Sequence, residues 1–350
     1  MGDKQIALKE LLDFHEKTLG ISDDEKRSIA CRESIDFDEY RRRIVGKEKE
    51  TEFLIFMKSL RSVKHIDIVD EERAKKKRQY TPDYEVELSD DKRLLLEVKH
   101  TEKGVFRISG GNLQQRMDYA KTQGLALRFV ISINGLWGDF TADYVKSKGG
   151  KIELADYTGD KAASWLGREF DTCSYLFHGS FEIVSVYEEN TSDGLGVKFA
   201  PYGELISYEL FFEGTLIFSA NKNDRKYLLH VIILEALHDK LANSLQEIKT
   251  IGKLTTIVER NVAPRELLIQ EIDFFMAIIR HRSFGNKNKK DNIFLAAEEE
   301  PLVRVEHVRM VMEELYKKGV NIICVRDGSG WQFDDFRKEF WIKRVCDIVQ

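Results

Sequence analysis

Two short runs in the first half of the chain alternate apolar and polar residues. The first carries Tyr84, Val86 and Leu88, the second Leu94, Leu96 and Val98. A period of two marks strands with one buried face. Ser89-Asp90-Asp91-Lys92 lies between them as a turn, so the segment reads as a β-hairpin. Pro82 stands just ahead of the first strand, where proline is tolerated. Upstream, Phe53, Leu54, Met57 and Leu60 recur at helical spacing and predict a helix with one buried stripe. Downstream, Gly110-Gly111 breaks the chain and Asn112 can cap a helix over Leu113–Thr122, closed by Gly124. Leu127–Ile133 then reads as a buried strand. Residues 1–45 read as a charged helical extension, with Leu8, Leu11, Leu12 and His15 on one stripe.

The second half changes character. The polar, glycine-bearing stretch Glu189–Gly196 predicts a domain boundary, dividing the chain into 1–45, 46–188 and 189–350. Beyond it the pattern gives a C-terminal α+β domain. Strands are expected at Phe181–Tyr187, Gly196–Phe199, Ile206–Phe212 and Thr215–Phe218, and helices at Asp224–Glu247 and Ala263–Arg282. Ser283–Asn292 is basic and reads as a linker or a phosphate-contacting segment. The last stretch predicts a helix, a strand, a DGSG turn and a further strand, a string that fits a small winged module and many other α+β packings.

The 350 residues suffice for two cores; 42% are apolar and 33% charged, as in a soluble globular protein. No apolar run spans a membrane, and the N-terminus lacks the apolar segment of a secretory signal. The four cysteines, Cys31, Cys173, Cys324 and Cys346, lack paired spacing and read as reduced thiols, so a cytoplasmic location is expected. A net charge of −5 argues against general coating of nucleic acid, leaving contacts to local clusters such as Arg73, Lys75, Lys76, Lys77 and Arg78. A solvated loop accounts for that cluster equally well.

The hairpin carries the chemistry. Asp83 opens its first strand, and Glu97 and Lys99 project from one face of its second. Two carboxylates suit Mg²⁺ or Mn²⁺. An ammonium beside them can orient water and offset charge on a phosphate. A polar hairpin edge facing solvent is the bland alternative. Glu50 precedes Phe53 and Leu54 by three and four residues, which puts it on the buried face of its helix, one turn up. Glu52 is the runner-up, and a solvent-facing first-turn acid is the alternative for both.

Pro82-Asp83 and Glu97-Val98-Lys99 resemble the motif of the PD-(D/E)xK nuclease superfamily. Gln115-x-x-x-Tyr119 resembles the accessory QxxxY motif of such enzymes. Residues 46–140 look like the nuclease domain of type I restriction motor subunits, though no helicase segment accompanies them. Gly252-Lys253 does not make a phosphate-cradling loop. The resemblance implies an α/β fold, a restriction-endonuclease-like mixed sheet flanked by helices. It implies a metal held by Asp83, Glu97, the Val98 carbonyl and Glu50, with Lys99 positioning water. Gln115 would orient the lysine or a phosphate, with Tyr119 packed beside it and in reach of nucleic acid. The implied substrate is DNA, with RNA not set aside. The implied setting is restriction or anti-phage defence, as a homodimer or beside a partner protein. A junction resolvase, an RNA-cleaving relative and a non-catalytic binding module on the same fold are the alternatives.

Overall fold

The computed structural model describes residues 8–18, 21–69, 81–158, 163–164, 167–191, 194–195, 197–199, 202–238, 244–261, 265–284, 293–296 and 304–325. The chain opens with three helices, α1 (Leu8–Lys17), α2 (Asp23–Arg32) and α3 (Phe37–Ser59). Ser22 caps α2 in a reciprocal box with Glu25, and Asp36 caps α3 by accepting from the amides of Asp38 and Glu39. Leu11, Phe14, Ala30, Phe37, Tyr40 and Ile44 form a small core among them. The expected boundary at 45/46 falls inside α3. Its first turns pack on α1 and α2, while Phe53–Met57 pack beneath a sheet.

That sheet takes β1 (Val63–Ile68), the hairpin β2 (Tyr84–Leu88) and β3 (Arg93–Thr101). Then come β4 (Val105–Arg107), α4 (Gly110–Gln123), β5 (Ala126–Ile133), β6 (Leu136–Thr141), α5 (Ala142–Ser147), β7 (Lys151–Glu153), β8 (Ala163–Ser164) and α6 (Gly167–Phe170). The strand order is β1-β2-β3-β5-β6-β8. Among the described strands only β3 and β5 run parallel, and α4 supplies the crossover that a parallel pair needs. Asp91 takes a positive φ of 64° in the hairpin turn, which aspartate tolerates. Leu94, Leu96 and Val98 face the core shared with α3, and Leu95 faces the core shared with α4. β3 is therefore buried on both faces, which is why its sequence is the near-continuous run LLLEV. Ser109, and not Asn112, caps α4, because its hydroxyl accepts from the Asn112 amide.

The second core is built from β9 (Ser174–Gly179), β10 (Phe181–Glu188), β11 (Lys198–Phe199), β12 (Gly203–Phe212), β13 (Thr215–Asn221) and α7 (Leu228–His238). It continues through β14 (Ser244–Ile251), β15 (Leu254–Asn261), β16 (Arg265–Gln270), α8 (Glu271–Phe284), α10 (Val305–Lys317) and β17 (Ile322–Val325), while α9 (Ile293–Ala296), between α8 and α10, packs Ile293 on the first core. One sheet is ordered β11-β12-β10-β15-β14 with β13 paired to β12, and a smaller one is ordered β16-β9-β17. The protein is a mixed α/β structure, as expected at that level. Several expectations for this half need correction. The helix expected over Asp224–Glu247 ends at His238, and from Ser244 the chain is a strand. The helix expected over Ala263–Arg282 is β16 followed by α8. Tyr187, Leu195, Val197 and Leu205 share one core, so the loop at 189–196 lies within the second unit, while Leu176 and Ile323 of the smaller sheet reach back to the core on the α4 side. β17 pairs with β9, which ties the final helix and strand into that unit. The DGSG turn, the strand after it and most of Ser283–Asn292 lie outside the described residues.

Helix α8 joins the two cores. Phe275, Met276 and Ile279 pack on the first and Phe274 and Ala277 on the second. At its N-terminus the Gln270 side chain accepts from the Trp137 amide at 2.7 Å and donates to the Trp137 carbonyl at 2.9 Å, so an amide group stands in for a neighbouring strand beside β6. Next to it Glu271 is fully buried, accepting from the Cys173 amide at 2.9 Å, the Tyr175 hydroxyl at 3.0 Å and Arg309 Nε at 2.7 Å. Arg309 also donates to the Asp171 carbonyl, so α10 is tied to the entry of β9. Burial raises the Glu271 pKa and Arg309 opposes the rise. Arg309→Met leaves a buried carboxylate without its cation and is expected to cost about 3–5 kcal/mol in denaturant unfolding. Adding Glu271→Leu should recover most of that loss. A loss under about 1 kcal/mol in the single variant would contradict the buried-pair account.

Candidate active site

Strand β2 stops pairing with β3 at Tyr84–Leu96, which leaves the Val98 amide without a strand partner. The Asp83 carboxylate takes that place, accepting from Val98 N at 2.7 Å. The main chain holds Asp83 on both sides, through Asp83 N to Leu96 O at 2.9 Å and Val69 N to Asp83 O at 3.1 Å. Asp83 is thus fixed by the hairpin's own ladder. Two residues apart on β3, Glu97 and Lys99 point to the face that α4 covers.

The Lys99 ammonium lies at the centre of the cluster. Its Nζ is 3.0 Å from Asp83 Oδ2, 2.8 Å from the Val98 carbonyl and 2.9 Å from Glu97 Oε1. Glu50 Oε1 stands further off, at 3.9 Å, with Lys47 3.0 Å from its other oxygen. Tyr84 fixes this part of α3, because its hydroxyl donates to the Glu50 carbonyl at 3.1 Å. Glu52 pairs with Lys49 at 2.6 Å. Of the two candidate acids, Glu50 is the one paired near Lys99.

Glu97 is the most constrained group here. Its side chain is 0% exposed, and Arg116 Nε stands 2.7 Å from Oε1. The second oxygen, Oε2, is buried and has no hydrogen-bond partner among the described residues. Burial raises the Glu97 pKa, Asp83 adds to the rise, and Lys99 and Arg116 pull it back. Glu50 is raised in the same way, by burial and then by Asp83. Burial pulls the Lys99 ammonium down, but Asp83, Glu97 and Glu50 outweigh it and hold Lys99 above its ordinary value, fully charged at neutral pH.

Arg116 was not among the expected site residues. Leu113 and Ala120 are the buried positions of α4, and Arg116 lies three residues after one and four before the other. That spacing puts it on the inward face. Gln115, one residue earlier, is exposed, and the groups around Lys99 are Asp83, the Val98 carbonyl, Glu97 and Glu50. Tyr119 is half-buried on the core of the α4 side, its phenol pushed up by burial and by Glu85. The basic cluster Arg73–Arg78 lies outside the described residues.

Among the described residues no three His, Cys, Asp or Glu side chains gather as a metal cage. The set here is sparser: two carboxylates and a main-chain carbonyl around one cationic atom. Those three oxygens are already gathered about a single positive charge, and Glu97 Oε2 has a free lone pair facing no donor. A sparse oxygen set suits Mg²⁺, which keeps several of its own waters. The residues therefore fit a divalent cation that displaces the ammonium from these oxygens.

The raised pKa values have a sign that can be tested with metal removed. Glu97 and Glu50 contribute stability that is complete below the ordinary glutamate value of 4.5 and is lost as pH rises through their folded-state values. In EDTA, Glu97→Gln is expected to flatten the fall of Tm between about pH 4 and pH 8. An unchanged slope would contradict the assignment of a raised pKa to Glu97.

No protein-family model matches the chain, and no curated protein matches it in sequence.

Proposed function

We propose that the chain is a metal-dependent nuclease that hydrolyses DNA phosphodiester bonds at the Asp83–Glu97–Lys99 cluster. One observation carries the reading: Asp83, the Val98 carbonyl and Glu97 place three oxygens within 3.0 Å of a single cationic atom, with a buried Glu97 oxygen unpartnered beside them. A structural ion pair has no need of an unpartnered buried oxygen, whose desolvation is a standing cost. The hairpin, the α4 crossover and the parallel strand β5 support a restriction-endonuclease-like core.

Asp83, Glu97 and the Val98 carbonyl would hold Mg²⁺ or Mn²⁺, with Glu50 extending the set. When bound, the ion supplies Lewis-acid stabilisation of charge on the phosphate oxygens. Lys99 remains charged, so its role is to donate a hydrogen bond to the attacking water and offset charge on the phosphate, not to remove a proton. Water adds to phosphorus and releases a proton to solvent, the P–O3′ bond breaks, and a solvent proton reaches the leaving oxygen. Arg116 holds Glu97 in place from α4, which makes it a positioning residue. A setting in restriction or anti-phage defence, with a partner protein, follows only from the resemblance of the motif.

The test is cleavage of plasmid, linear duplex, single-stranded DNA and RNA in Mg²⁺, Mn²⁺ or EDTA. Duplex DNA is expected to be cut in metal and left intact in EDTA. Asp83→Ala and Lys99→Ala should each lower the rate by about a hundredfold or more. Gln115→Ala, at an exposed position, should change it by about twofold or less. Cutting that survives EDTA, or equal rates in wild type and Lys99→Ala, would overturn the reading. Preferred cutting of RNA would keep the chemistry and reassign the substrate.

A further inference from the structure

The larger sheet of the second unit ends in β14, and among the described residues no strand pairs with its outer edge. Unpaired edges are usually short, broken by proline, bulged, covered or guarded by charge. β14 is eight residues long and contains no proline. Its middle residues Gln246, Glu247, Ile248, Lys249 and Thr250 are all exposed. Ile248 is 48% exposed, and at the hairpin tip Ile251 and Leu254 are 64% and 42% exposed. Ile251 and Leu254 pair with each other at the hairpin end, and Ile248 stands on the other face of β14.

The order of residues on the edge selects its occupant. When an antiparallel strand meets its own copy about a two-fold axis, paired positions sum to a constant. With Ile248 on the axis, Ile248 meets Ile248, Glu247 meets Lys249 and Gln246 meets Thr250. Opposite charges then lie directly across from one another twice, once on each side of the axis. Shifting the register by one residue sets Ile248 against Glu247 or Lys249. Shifting it by two sets Glu247 or Lys249 against itself. One register satisfies every exposed position in the middle of the strand.

We infer that two copies of this chain associate through β14, pairing the strand antiparallel with its copy about a two-fold axis at Ile248. The sheet of each subunit then continues into the other, and the edge is closed by main-chain hydrogen bonds. The interface is isologous, and it stands independently of the chemistry at Asp83, Glu97 and Lys99.

Sedimentation equilibrium of the full chain over a range of concentration tests the interface, with circular dichroism to verify folding of each variant. Wild type is expected to dimerise. Lys249→Glu faces Glu247 of the copy with a like charge on both sides of the axis and should weaken association by about tenfold or more. Glu247→Lys should do the same. The double variant Glu247→Lys/Lys249→Glu restores opposite charges across the axis and should recover dimerisation. A wild type that stays monomeric at every concentration would overturn the inference. So would a dimer indifferent to both single changes, or one that the double variant fails to restore.

Discussion

The buried carboxylate of Glu97 is the constraint around which the first unit is arranged. It lies on a strand covered on both faces, so it has no route to water and depends on Lys99 and Arg116 for compensation. Those two cations come from different elements, β3 and α4, and β3 must pair parallel with β5 for α4 to lie where it does. Asp83 belongs to the same arrangement, because it fills the ladder position that β2 leaves open on Val98. Removing the crossover would undo the cation that holds Glu97, and removing the hairpin would undo the acid that faces Lys99.

This arrangement is costly as pure scaffolding. A close-packed leucine at position 97 would satisfy the fold without a desolvated charge, and buried ion pairs are often no better than apolar replacements. The Glu271–Arg309 pair shows how the same protein treats a carboxylate that only joins elements, since both Glu271 oxygens accept hydrogen bonds from named donors. Glu97 differs in leaving one oxygen without a donor. That contrast within one chain is the ground for proposing a cation at Glu97 and not at Glu271.

The hairpin was legible in the sequence because its alternation, turn residues and proline position all agree. The same alternation concealed that Leu95 is buried too, since a strand covered on both faces loses its polar side. Helix α4 was placed correctly, but Arg116 on its inward face was not among the expected residues. Leu113 and Ala120 carry the signal for Arg116, whereas the pair Gln115 and Tyr119 suggested a different face. In the second unit long apolar runs misled. Leu267–Ile279 is largely apolar, and local pattern alone does not show that β16 ends at Gln270, where the side chain turns to pair with Trp137. The polar loop at 189–196 looked like a boundary, yet it is a connection within one core. The passage into the second unit, near Asp171, is marked by long-range contacts to Glu271 and Arg309 that no local window contains.

The most direct test of the account is calorimetric titration of Mn²⁺ into the full chain and into Asp83→Asn. The account predicts one saturable site in the wild type, lost or weakened at least about tenfold in the variant. Equal binding in the two proteins, or none in the wild type, would contradict the assignment of these oxygens to a cation.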